Sequence, residues 1–77
     1  MNKARRKKLQ ELMEQLETIK EELEMVLEEE QEAYDNLPES LQSSERGEQM
    51  YEAAESLSSA CDDLDSAICN MEEAKTT

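Results

Sequence analysis

The sequence predicts an all-α chain of two long antiparallel helices joined by a short turn. Two stretches carry apolar residues at alternating spacings of three and four, the pattern of a helix with one buried stripe. The chain holds one Gly and one Pro in 77 residues, too few turn formers for a many-stranded β fold. Both fall between the two periodic stretches, where a joint belongs.

The first helix is expected over residues 3–35. With Leu9 at heptad position a, positions a and d are Leu9, Leu12, Leu16, Ile19, Leu23, Val26, Glu30, Ala33 and Leu37. All but Glu30 are apolar, which makes a coiled-coil-type seam. Position e adds Met13, Leu27 and Tyr34 and widens the stripe into the face of a bundle helix. Glu30 either reaches solvent near the turn, or fixes the register, or meets Arg46.

The joint spans residues 36–44. Pro38 disfavours helix at Leu37 and suits the first turn of a new helix. Glu39 to Gln42 are expected to form one short helical turn, and Ser43 or Ser44 to cap the next helix. Leu37 and Leu41 are expected to tuck under the turn. Backbone geometry is reason enough for Pro38 and Gly47.

The second helix is expected over residues 45–74. Its seam is Met50, Ala54, Leu57, Cys61, Leu64, Ile68 and Met71. Beside it runs a row of alanines at Ala53, Ala60, Ala67 and Ala74, which lets a neighbouring helix approach closely. Matched helix lengths and a short joint predict an antiparallel hairpin forming a single domain. Two helices leave part of these stripes wet, and exposed apolar strips of this length mark an interface. The economical solution is a homodimer, giving a four-helix bundle. The rival solution is docking on a different protein.

Charge is strongly uneven. Lys3, Arg5, Arg6, Lys7 and Lys8 precede every acid. From residue 9 onward three basic residues stand against 21 acidic ones, a formal charge of −18. The basic start and the acids Glu28, Glu29, Glu30 and Glu32 both oppose the dipole of the first helix. In a hairpin the basic start would lie beside Glu72 and Glu73, and pairing there would set orientation more than stability. A body this acidic repels nucleic acid and anionic membranes and favours basic protein surfaces. Neither direct nucleic-acid binding nor membrane association is expected.

The candidate partner-binding residues are Glu14, Glu17, Glu21, Glu24 and Glu28. They run down the side of the helix opposite the seam, with neighbours about 5 Å apart along the helix, a spacing like that of backbone phosphates. The bland alternative is a solvated outer face, which every bundle needs for solubility. Against it stands the near-absence of compensating Lys or Arg, since ordinary bundle surfaces mix signs. The basic start, residues 3–8, is either a contact for nucleic acid or an acidic partner, or a frayed terminus that partly pairs with Glu72 and Glu73.

Catalysis and cofactors find no foothold. The chain has no His, which rules out the Glu-x-x-His pairs of di-iron bundles. Asp62, Asp63 and Asp65 lack the glycine and spacing of a calcium loop. Cys61 is expected in the core and Cys69 on the surface. Eight residues apart on one helix, they lie about 12 Å apart, beyond disulfide reach. Cys69 has no nearby base to activate it. The reading is therefore of a non-enzyme without metal or cofactor. It is expected to be cytoplasmic, since neither a signal segment nor a membrane span is evident.

The joint also carries a resemblance. Asp35-Asn36-Leu37-Pro38-Glu39-Ser40-Leu41-Gln42, followed by Ser44 and Arg46-Gly47-Glu48, resembles a stretch in small uncharacterised proteins of bacteriophages and bacterial mobile elements. Those proteins share the basic start, the Leu/Glu-rich first helix and the alanines at heptad spacing. The resemblance implies a bacterial host cytoplasm as the setting and supplies no mechanism. Small acidic phage proteins often inhibit host or defence proteins, so by analogy the partner is a basic, nucleic-acid-binding or defence protein. The alternative is a structural or assembly module acting through its apolar seam.

Overall fold

The computed structural model describes residues 1–77 and is all helical. Helix α1 runs Lys3–Asp35, α2 is a single turn at Glu39–Gln42, and α3 runs Glu45–Thr76. The long helices pack against each other in a rod of 58 × 16 × 12 Å. The expected hairpin and its boundaries are present, with α3 ending two residues later than the periodicity suggests.

Local chemistry sets each boundary. Asn2 caps α1, its Oδ1 accepting from the Arg5 amide at 2.8 Å. Ser44 caps α3, its hydroxyl oxygen accepting from the Gly47 amide at 3.3 Å. The same hydroxyl donates to the Leu41 carbonyl. Helix α3 has Glu45 and Glu48 in its first turn and Lys75 in its last, which suits its dipole. Helix α1 has neither an acid at its start nor a base at its end. It is held by packing on α3 and not by its own electrostatics.

The joint is clamped from inside. Gln42 Nε2 donates to the carbonyls of Tyr34 at 3.2 Å and Leu37 at 3.3 Å. The Tyr34 carbonyl also accepts from the Leu37 amide at 3.0 Å, so Gln42 adds a side-chain clamp to the closing turn of α1. Leu37 is half-buried, whereas Leu41 is exposed and does not tuck under the turn. Gly47 has an ordinary negative φ, so conformational freedom is not its role. A Cβ there would collide with the backbone carbonyls of Leu41 and Gln42. Glycine is required because α2 passes directly over α3.

The seam of α3 lies where expected: Met50, Leu57, Leu64, Ile68 and Met71 are half-buried, and Ala54 and Cys61 are buried. The seam of α1 is rotated from the expected one. Its inward residues are Leu9, Met13, Leu16, Lys20, Leu23, Leu27, Glu30, Tyr34 and Leu37, again alternating four and three. Met13 is the most buried large side chain, 7% exposed. Leu12, Ile19 and Val26, expected on the seam, are 37%, 49% and 49% exposed. The helix has turned so that the e positions, and not the d positions, meet α3.

The expected pairing of the basic start with Glu72 and Glu73 is absent. No ion pair joins residues 3–8 to Glu72 or Glu73. Glu72 pairs with Lys75 at 3.1 Å, and Arg6 reaches the Thr77 backbone oxygen at 3.2 Å. Glu30 sits half-buried in the seam and pairs with neither Arg46 nor any other base.

Gly47→Ala is expected to destabilise the chain by on the order of 2 kcal/mol, read by thermal or urea unfolding, because backbone must move to admit the methyl. Glu30→Leu is expected to stabilise it by about 1 kcal/mol in the same assay. It replaces an unpaired acid with apolar area in a seam position.

Candidate partner-binding surface

The rotated seam sorts the remaining side chains onto two broad faces. Gln31 of α1 and Tyr51 and Ser58 of α3 line one shallow cleft together with Tyr34, Asp35 and Glu55. The row Gln10, Glu17, Glu24, Gln31 therefore shares a side with the row Tyr51, Ser58, Asp65, Glu72. Lys20 and Lys75 cross the seam on this same side, reaching Asp65 and Gln10. This is the polar face.

The expected acidic ridge borders it. Glu14, Glu17, Glu21, Glu24 and Glu28 are all exposed and stay together along α1. Helix α3 adds exposed Glu55, Asp62 and Asp65 across the seam, which sequence reasoning did not include. The one cation among them is Lys20. Its Nζ lies 2.5 Å from Asp65 Oδ1 and 3.8 Å from Glu24 Oε1. The hydrogen bond it donates to the Asp65 carboxylate is the main reason its pKa is raised above the ordinary lysine value; nearby Glu17 and Glu24 add to it and desolvation opposes it. Lys20 is thus shared between Asp65 and the ridge's own Glu24 and offsets one charge among the eight acids gathered there.

At the turn end, Tyr34 and Tyr51 meet with ring centroids 5.7 Å apart and planes tilted by 57°. Such offset aromatic pairs add about 0.5–1.5 kcal/mol beyond their burial. With Gln42 they lock the turn end of the polar face. The sequence did contain the signal for this pair and for Lys20: Met13, Lys20, Leu27 and Tyr34 fall every seventh residue. The lysine in that row masked it as an apolar stripe.

The opposite face is apolar. It carries the row Leu12, Ile19, Val26, Ala33 from α1 and the row Ala53, Ala60, Ala67, Ala74 from α3. Each of these residues immediately precedes a seam residue. Antiparallel helices are related by an approximate two-fold axis through the hairpin, so equivalent flanking rows share a side.

No group of three or more His, Cys, Asp or Glu side chains is arranged to hold a metal ion. No helix is long and apolar enough to cross a membrane. Cys61 is buried and Cys69 exposed, and both are free thiols. Burial is the main reason the Cys61 thiol pKa is raised, with Glu24, Asp62 and Asp65 pushing the same way. No protein-family model matches the chain, and neither a curated protein nor a solved structure shows significant similarity to it.

A thiol reagent at neutral pH is expected to modify Cys69 at least roughly tenfold faster than Cys61, read by mass spectrometry of peptides. The folded Cys61 thiol keeps its proton beyond the ordinary value of 9.0. Stability linked to it is intact at neutral pH and is lost as pH rises above that value.

Proposed function

We propose that this chain is a non-catalytic protein-binding module that presents its acidic helical face to a basic protein. One observation carries this reading. Exposed carboxylates from both long helices gather on one side, and the single lysine among them is engaged by Asp65 and Glu24. Unneutralised charge of one sign steers a partner of opposite sign, speeds encounter and makes binding salt-sensitive.

The spacing of Glu14, Glu17, Glu21, Glu24 and Glu28 suits a surface that normally holds a phosphate backbone. The partner is then a nucleic-acid-binding or defence protein of a bacterial host, and the chain acts as its inhibitor or nucleic-acid mimic. The setting is a phage or mobile element acting in the host cytoplasm, with the chain as a homodimer. The mode of action needs no cofactor, no direct nucleic-acid contact and no membrane.

A second reading is favoured by a different observation: Leu12, Ile19 and Val26 stand exposed beside an alanine row. There the chain is an assembly module, its apolar face does the binding, and the acids serve solubility.

Changing Glu14, Glu21 and Glu28 together to Lys separates the two. In nuclease-treated bacterial lysate the tagged wild-type chain is expected to retain a basic protein that moderate salt releases. The triple variant is expected to lose it, with unchanged helicity by circular dichroism. Recovery of the chain alone, or of an assembly component that resists high salt, would move the function to the apolar face.

A further inference from the structure

The hairpin leaves an unusual amount of surface uncovered. Met13, Ala54, Cys61 and Gly47 are its only buried residues. It exposes 5737 Å² at a mass of 8.9 kDa. A compact monomer of that mass exposes about 4800 Å². The excess, roughly 900 Å², is close to the ~800 Å² that each partner contributes to a standard interface.

The apolar face also has an internal complementarity. The contacts Lys20–Asp65, Gln10–Lys75 and Tyr34–Tyr51 fix the antiparallel register. In that register Leu12 stands level with Ala74, Ile19 with Ala67, Val26 with Ala60 and Ala33 with Ala53. Each of the first three levels therefore holds one large and one small side chain, the large always on α1. A two-fold axis parallel to the helices exchanges α1 and α3 without changing level. It sets every large residue over an alanine of the second copy.

We propose that this face is the interface with a second copy of the chain, joined by a two-fold axis parallel to the helices. Leu12, Ile19 and Val26 of each copy pack on Ala74, Ala67 and Ala60 of the other. Large against small at each level fills the space between helices at native density. Every neighbouring helix pair in the resulting four-helix bundle is antiparallel.

The charges permit this contact. Gln15, Glu29, Gln49, Ser56 and Asn70 lie along the rim of the apolar face, Glu29 level with Ser56, while the acidic ridge points away. Glu22 and Asp63 are the pair of like charges that meet across the rim. With a formal charge of −13 per copy, the pair repels at long range. Added salt screens that repulsion and strengthens association.

The proposal rests on the self-association included in the reading above and is independent of the acidic partner. Its test reads only the mass of the purified chain. Analytical ultracentrifugation of the full chain is expected to give a dimer that tightens with salt. Ile19→Glu with Val26→Glu is expected to weaken it roughly a hundredfold or more, since charges enter an apolar contact. Glu17→Lys with Glu24→Lys, on the opposite face, is expected to leave it intact. Where the charged variant loses its fold, a size swap keeps the test open. Ile19→Ala and Ala67→Ile each weaken the dimer, and the two together restore it. A monomer at submillimolar concentration overturns the proposal and assigns the face to a different protein. So does a dimer that ignores Ile19 and Ala67, or an assembly larger than two. Each of these outcomes leaves the acidic-face reading standing.

Discussion

The structure depends on one seam of side chains between α1 and α3. A hairpin has no third layer, so apart from the polar contacts Lys20–Asp65 and Lys75–Gln10 this seam alone holds the long helices together. The seam alternates four and three on both helices, so each turn of α1 meets a turn of α3. It is a modest core of half-buried aliphatic side chains. Lys20 interrupts the apolar run, and its aliphatic stem lies in the seam while its ammonium reaches Asp65 at the edge. That arrangement lets a lysine occupy an inward position without stranding its charge.

The phase of the seam is decided at the turn. Gly47 allows α2 to lie against the start of α3. Gln42 then reaches back to the carbonyls of Tyr34 and Leu37, which fixes the last turn of α1. Tyr34, packed on Tyr51 beside that clamp, faces inward, and a straight helix then places Leu27 and Met13 inward as well. Leu12, Ile19 and Val26 are displaced outward as a direct result.

That rotation gives the molecule two unlike faces. Acids of both helices share one side, where low local cation content leaves their field unopposed. Aliphatic side chains and alanines share the other. The isolated hairpin buries too little apolar area to be more than marginally stable. In the proposed dimer, covering the apolar face couples stability to association, and mass action then makes that stability concentration-dependent. The acidic face lies outside that proposed contact.

The sequence by itself determined the helical class, the two long helices, their limits, the α2 turn and a serine cap at Ser43 or Ser44, of which the structure selects Ser44. These follow from periodicity, Pro38 and cap chemistry, all of which act within a few residues. It also determined the position of the α3 seam, where the alternation has no competitor. The acidic ridge along α1 was legible for the same reason, since spacing on one helix fixes which residues share a side. Only the tertiary structure decided which of two overlapping stripes of α1 faces α3. Both stripes contain Leu9, Leu16, Leu23 and Leu37, and local propensity cannot choose between the residues beside them. The choice depends on where the turn delivers α3, on the space that Gly47 leaves and on the Asp65 that Lys20 finds. These contacts join residues far apart in the chain, so no reading of one helix at a time contains them.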